Sequence, residues 1–181
     1  MLRIIVLLGA LAGAIFGYRH YYSPLPLQSH FMATVPVKLK LLPDPKVRSQ
    51  GSDQISLEEV TTQKNSKDPL VLTAISLSTA FDTYDEQDIL ELALEDMDKL
   101  GAIIGQASRN KARVVRRGFI DYQGHKGYEV VYELDKDSGK EQMIQRVFTH
   151  DNHMLMLIAS YEPSAQREAT VENFFASLEF L

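Results

Sequence analysis

The spacing of hydrophobic positions changes period several times along this chain, and each change predicts an element. Leu90, Ala93, Leu94, Met97, Leu100 and Ile104 recur at the three- and four-residue steps of one helix face. Thr83 and Glu86 stand at capping-box spacing just before them. Asp85, Glu86 and Asp88 crowd the first turn, where the helix dipole favours negative charge. A long helix is therefore expected from Asp85 to Gly105, with Glu91, Glu95 and Asp98 on its solvated side.

The period then shortens to two. Tyr128, Val130, Tyr132 and Leu134 alternate with Glu129, Val131 and Glu133, which predicts a strand. Arg113–Tyr122, Gln142–His150 and His153–Tyr161 predict three more. Met154–Ala159 is apolar at every position, the mark of a strand buried on both faces. Gly124 and Gly127 suggest a turn around His125, and Asp135–Gly139 a second turn. Ahead of the helix, a short apolar piece ends at Pro36, and Pro43 and Pro45 mark a loop. The alternation around Ile55, Leu57 and Val60 and the apolar, β-branched Leu70–Leu77 predict two strands, separated by the polar turn Lys64–Pro69. Near the end, Ser164 follows Pro163 as the cap of a second helix reaching Ser177, packed down by Phe174, Phe175 and Leu178. Leu178–Leu181 is expected to close as a short strand.

Hairpin-type connections make such a sheet antiparallel. The expected fold class is α+β: an α/β/α sandwich whose central antiparallel sheet is flanked by the long helix and the C-terminal helix, preceded by an N-terminal hydrophobic helix. That last helix comes from the uncharged run Ile4–Tyr18, bounded by Arg3 and Arg19. Its roughly 15 residues cover about 22 Å as a helix, short of a hydrocarbon core of about 30 Å. Residues 1–22 thus read as a signal peptide, with Ala10, Ala12 and Ala14 as small residues for a peptidase, or as a transmembrane anchor. Tyr18, Tyr21 and Tyr22 suit a membrane interface, and Gly9, Gly13 and Gly17 share one stripe fit for helix packing in a membrane. Both alternatives stay open. Residues 23–31, with Pro24 and Pro26, read as a linker, and 32–181 as one globular domain. A retained anchor gives a single-pass inner-membrane protein with its C-terminal domain extracytoplasmic; cleavage gives a periplasmic or secreted one.

Composition narrows the chemistry. The 181 residues are 45% hydrophobic and 24% charged, which fits a folded domain and not a disordered chain. A net charge of −5 argues against a nucleic-acid partner. With no cysteine, disulfides, thiolate catalysis, Cys-type zinc sites and lipid attachment through cysteine are excluded.

Three constellations bear on chemistry. His150-Asp151-Asn152-His153 reads as a two-residue hairpin that sets His150 opposite His153, close enough to share a divalent metal weakly, but a firm site needs further ligands. Asp135-Lys136-Asp137-Ser138-Gly139 opens like a calcium loop and fails at Lys140 and Arg146, where Gly and Glu are required. Arg109, Lys111, Arg113, Arg116 and Arg117 form a basic run that suits an acidic partner or anionic lipid, or else an intramolecular match to the acidic helix or an exposed edge strand guarded by charge. No Gly-x-Ser-x-Gly elbow and no phosphate loop occurs, and no carboxylate stands in an apolar stretch that would tune it for acid–base work. No cofactor and no enzyme activity is expected.

The long acidic helix, Gly124-His-Lys-Gly-Tyr-Glu-Val130, the apolar hairpin ending in Leu155–Tyr161, and the ending Asn173-Phe-Phe-Ala-Ser-Leu-Glu-Phe-Leu181 together resemble the PsbP-like fold, in particular bacterial domains of unknown function that share it. The resemblance covers roughly residues 30–181. Leu178 stands where an aromatic is usual and Val37 where Gly is common. It implies an α/β/α sandwich and relatives that are mostly non-enzymatic: stabilisers of thylakoid complexes, bacterial envelope proteins, a partner of a small GTPase in nuclear import, chaperones of secreted effectors. The expected use is a membrane-anchored module with a protein partner in an envelope complex. The alternative is a carrier or sensor holding a small ligand or metal between sheet and helix.

Overall fold

The structure, a computed structural model, describes residues 23–51, 55–64, 68–79, 112–136, 139–150 and 153–181. These form ten strands in two sheets and one helix: β1 Gln28–Phe31, β2 Val37–Leu41, β3 Lys46–Gly51, β4 Ile55–Gln63, β5 Val71–Thr79, β6 Ala112–Tyr122, β7 His125–Lys136, β8 Gly139–His150, β9 His153–Tyr161, α1 Ala165–Ala176 and β10 Glu179–Phe180. The larger sheet runs β3-β4-β5-β9-β8-β7-β6, the smaller one β1-β2-β10, and every pairing in both is antiparallel. Two meanders, β3-β4-β5 and β6-β7-β8-β9, thus join through β5 and β9.

The α/β/α sandwich is corrected by this arrangement. The described part is mostly β, and α1 is its one helix. The cover expected from helices is supplied on one face of the large sheet by a second sheet. Val37, Leu39 and Leu41 of β2 point inward and pack, with Val171, Phe174 and Phe175 of α1 and with Leu178, against Val60, Leu72, Ala74, Phe148, Leu155, Leu157 and Ala159. The small sheet escaped prediction because β2 and β10 meet across most of the chain, through Phe180↔Val37 and Glu179↔Lys38. The helix expected at 85–105 and the segment 1–22 lie outside the described residues, and among those residues no helix is long and apolar enough to cross a membrane. Part of the expected linker, Gln28–Phe31, is strand β1.

Much of the local reading holds. Tyr128, Val130, Tyr132 and Leu134 share one face and belong to a second apolar cluster with Met143, Val147 and Met156. Apolar residues of β9 go to both clusters, Leu155, Leu157 and Ala159 to one and Met154, Met156 and Ile158 to the other. The Ser164 hydroxyl caps α1 by accepting from the Arg167 amide. Two details differ. In β4 the inward set is Glu58, Val60 and Thr62, so Leu57 and Val60 face opposite ways. Gly127 is not in a turn: the turn is Gln123-Gly124, both at positive φ (56° and 85°), as a two-residue hairpin requires. Gly127 sits in β7 because Phe148 lies across it; a Cβ there would come within 2.5 Å of the Val147 carbonyl oxygen.

Candidate functional site

Strand β6 is the outer edge of the large sheet, and Arg113 through Arg117 are all exposed. The register shifts between Val114 and Arg116, so Val115 is a bulge residue. The bulge brings Arg113, opposite Glu133, and Arg116, opposite Val131, onto one face, while Arg117, opposite Val130, takes the other. Each of the first two meets a glutamate of β7. Arg113 Nη2 donates to Glu133 Oε1 at 3.1 Å, and Lys140 Nζ reaches the same oxygen at 2.8 Å. The Lys140 hydrogen bond holds the Glu133 carboxyl below its ordinary pKa, and Glu133 in turn raises that of Lys140. Arg116 Nη2 stands 2.8 Å from Glu129 Oε1, and Arg146 Nε donates to Glu129 Oε2 at 2.8 Å. Glu129 is therefore a buried carboxylate shared by two guanidinium groups. Arg113 and Arg116 thus each answer a glutamate of β7. Arg109 and Lys111 lie outside the described residues, as do Gly9, Gly13 and Gly17.

Beside the arginines the edge is apolar. Val114, Val115 and Phe119 are about half or more exposed, Phe119 at 72%. Phe119 meets Tyr128 edge-on at 5.3 Å between ring centroids.

A groove of about 720 Å³ opens beside the Glu129 cluster, between β6–β9 and α1. Val131, Ile144, Val171 and Phe175 line it together with Arg116, Gln142, Arg146 and Tyr161. The Arg146 guanidinium lies 4.3 Å over the Phe175 ring. Tyr122 closes one end by donating to the carbonyls of Ala176 (2.9 Å) and Leu178 (3.2 Å). Burial raises the pKa of the Tyr122 phenol; Arg146 opposes the shift and Glu179 adds to it.

His150 and His153 do pair directly across the β8–β9 hairpin, as their spacing predicts. Sequence reasoning missed what joins them: His125 of β7 meets His150 edge-on at 4.8 Å and stacks on Phe180 at 3.8 Å. Continuing the β7–β8 register two residues past Gly127↔Phe148 would have found the contact. Among the described residues no three His, Asp or Glu side chains gather so as to hold a metal ion. Also missed were three buried glutamates, Glu58, Glu129 and Glu141. Glu58 accepts the backbone amides of Ala33 (2.6 Å) and Thr34 (3.1 Å), which ties the loop before β2 to the large sheet.

No protein-family model matches the chain, and no curated protein does. Solved structures similar to it include cyanobacterial PsbP (CyanoP) from Synechocystis sp. PCC 6803, at 12% identity and a TM-score of 0.47, covering 86% of this chain and 92% of that one. LpqN of Mycobacterium tuberculosis, described as involved in cell envelope biogenesis, is similar at 10% identity and a TM-score of 0.46, with 84% and 89% covered. PA94 of Pseudomonas aeruginosa, a protein of unknown function and putative regulator, is similar at 11% and 0.41, with 81% and 90% covered. The first is a PsbP protein. Likeness at this level says nothing about activity or partner.

Proposed function

We propose that this chain is a non-enzymatic, extracytoplasmic interaction module that meets a protein partner along strand β6. The observation behind this reading is the edge itself: an 11-residue outer strand with Val114, Val115 and Phe119 exposed beside arginines. Exposed edges attract a further strand, and the bulge at Val115 with its flanking charges limits indiscriminate pairing. A chosen partner would present an extended segment with apolar residues for Val115 and Phe119 and carboxylates for the arginines. The apolar, Arg-flanked segment at residues 1–22 supports delivery across a membrane, whether it is retained or cleaved.

Co-purification in mild detergent tests this. The wild-type chain should bring down one protein at a fixed stoichiometry, and a Phe119→Glu, Arg117→Glu double variant should lose it. Equal recovery with the double variant would sink the proposal.

A further inference from the structure

The groove beneath α1 has the parts of a small-molecule site, and Val115 and Arg116 of β6 form its outer wall. Arg146 is held from two directions: Nε donates to Glu129 Oε2 at 2.8 Å, and the ring of Phe175 lies 4.3 Å from the guanidinium carbon. These contacts use one nitrogen and one face. They leave the two terminal nitrogens, a preformed fork of the kind that binds a planar carboxylate in bidentate fashion. Glu129 does not compete for a ligand, because Arg116 takes its other oxygen. Beside the fork the surface is apolar: Val131, Ile144, Val171 and Phe175. Gln142 lies four residues from Arg146 on the same strand face, roughly 13 Å along β8. The Tyr161 hydroxyl donates to Gln142 Oε1 at 2.9 Å, which turns the amide nitrogen out as a donor at that far end.

The charge balance limits what fits. Arg116, Arg146 and Glu129 sum to one positive charge, and Glu168 and Glu172 line the helix side of the groove. One negative charge is matched at the fork; a second along the groove would face the glutamates. We infer that the groove between α1 and β8 binds a small amphipathic monocarboxylate, its carboxylate on Arg146 and its apolar body along Ile144, Val171 and Phe175.

The test uses the 181-residue chain with decanoate, decanol and the dicarboxylate sebacate, read by calorimetry and by the methyl NMR signal of Ile144. Decanoate should bind one to one and shift Ile144, with decanol and sebacate each about tenfold weaker or worse. Arg146→Lys keeps the charge but loses the fork and should weaken decanoate about tenfold. Because that variant also disturbs Glu129, an exposed change on the helix serves as a second arm: Glu172→Gln should leave folding intact, tighten decanoate and admit sebacate. Decanoate that leaves Ile144 unmoved, or decanol that binds as well as decanoate, would overturn the inference. So would a Glu172→Gln chain that still rejects sebacate as the wild type does.

Discussion

Strands β9 and β6 have the same backbone geometry and belong to one sheet, yet their surroundings are opposite. β9 lies in the middle, between β5 and β8, and sends apolar side chains into clusters on both faces. β6 lies at the edge, with Arg113 through Arg117 exposed in succession. What separates them is the number of neighbours, because burial comes from the elements packed around a strand and not from the strand itself. Stability should therefore concentrate at β9 and recognition at β6.

Truncation tests that division most strongly. Leu157, at the centre of β9, is fully buried against both β2 and α1 residues of its cluster. Leu157→Ala should cost about 2–5 kcal/mol, the lost transfer energy plus the cavity left behind. Val115→Ala on β6 should stay within about 0.5 kcal/mol. Urea midpoints read both, and equal shifts would break the comparison.

Glu58→Ala comes next. It would leave the part-buried amide bonds of Ala33 and Thr34 without their acceptor, at about 1–3 kcal/mol. Glu58→Gln keeps one acceptor oxygen and should cost less. A urea titration in which the two variants coincide would show that the loop before β2 is not held by this carboxylate.

The same division explains what the sequence revealed. Where an element is specified by its own residues, the pattern was sufficient: the alternation in β7, the doubly apolar β9, the Ser164 cap and the facing of His150 and His153. Where an element depends on partners far along the chain, it was not. β1 and β3 are short and mostly exposed, with no apolar period to announce them. β2 needs β10 beside it, and their pairing is set by the whole fold. Buried Glu129 reads as an ordinary outward residue of an alternating strand, because its burial depends on Arg116 and Arg146 from two other strands. The groove is lined by α1 and by strands β6 to β9, which no local pattern brings together. The basic run was visible, but its answer in β7 required the bulge at Val115.

The two phenols that line the groove should make the fold sensitive to alkali. Burial raises the pKa of the Tyr161 phenol above its ordinary 10.0, and Glu168 and Glu172 add to the shift. Burial does the same for Tyr122. A raised pKa means that the folded state binds the proton more tightly than the unfolded chain. The resulting stability is complete below pH 10.0 and is lost as pH rises through the shifted value. Unfolding free energies measured from pH 9 upward should fall, and Tyr161→Phe should flatten the decline. A decline of the same slope in that variant would assign it to other groups.

The smallest effect on stability is expected at β6, where it separates folding from recognition. Phe119 is largely exposed, and among the described residues its ring contact is the edge-on meeting with Tyr128. An aromatic pair of this kind contributes about 0.5–1.5 kcal/mol beyond area when buried, and less in water. Phe119→Ser should thus move the urea midpoint by under about 1 kcal/mol while reducing partner capture as strongly as the double charge variant does. A strand that belonged to the core would show the reverse, with a large loss of stability and capture falling only in step with the folded fraction. Measuring both quantities on one preparation distinguishes the two, since a surface used for binding can lose affinity without losing its fold.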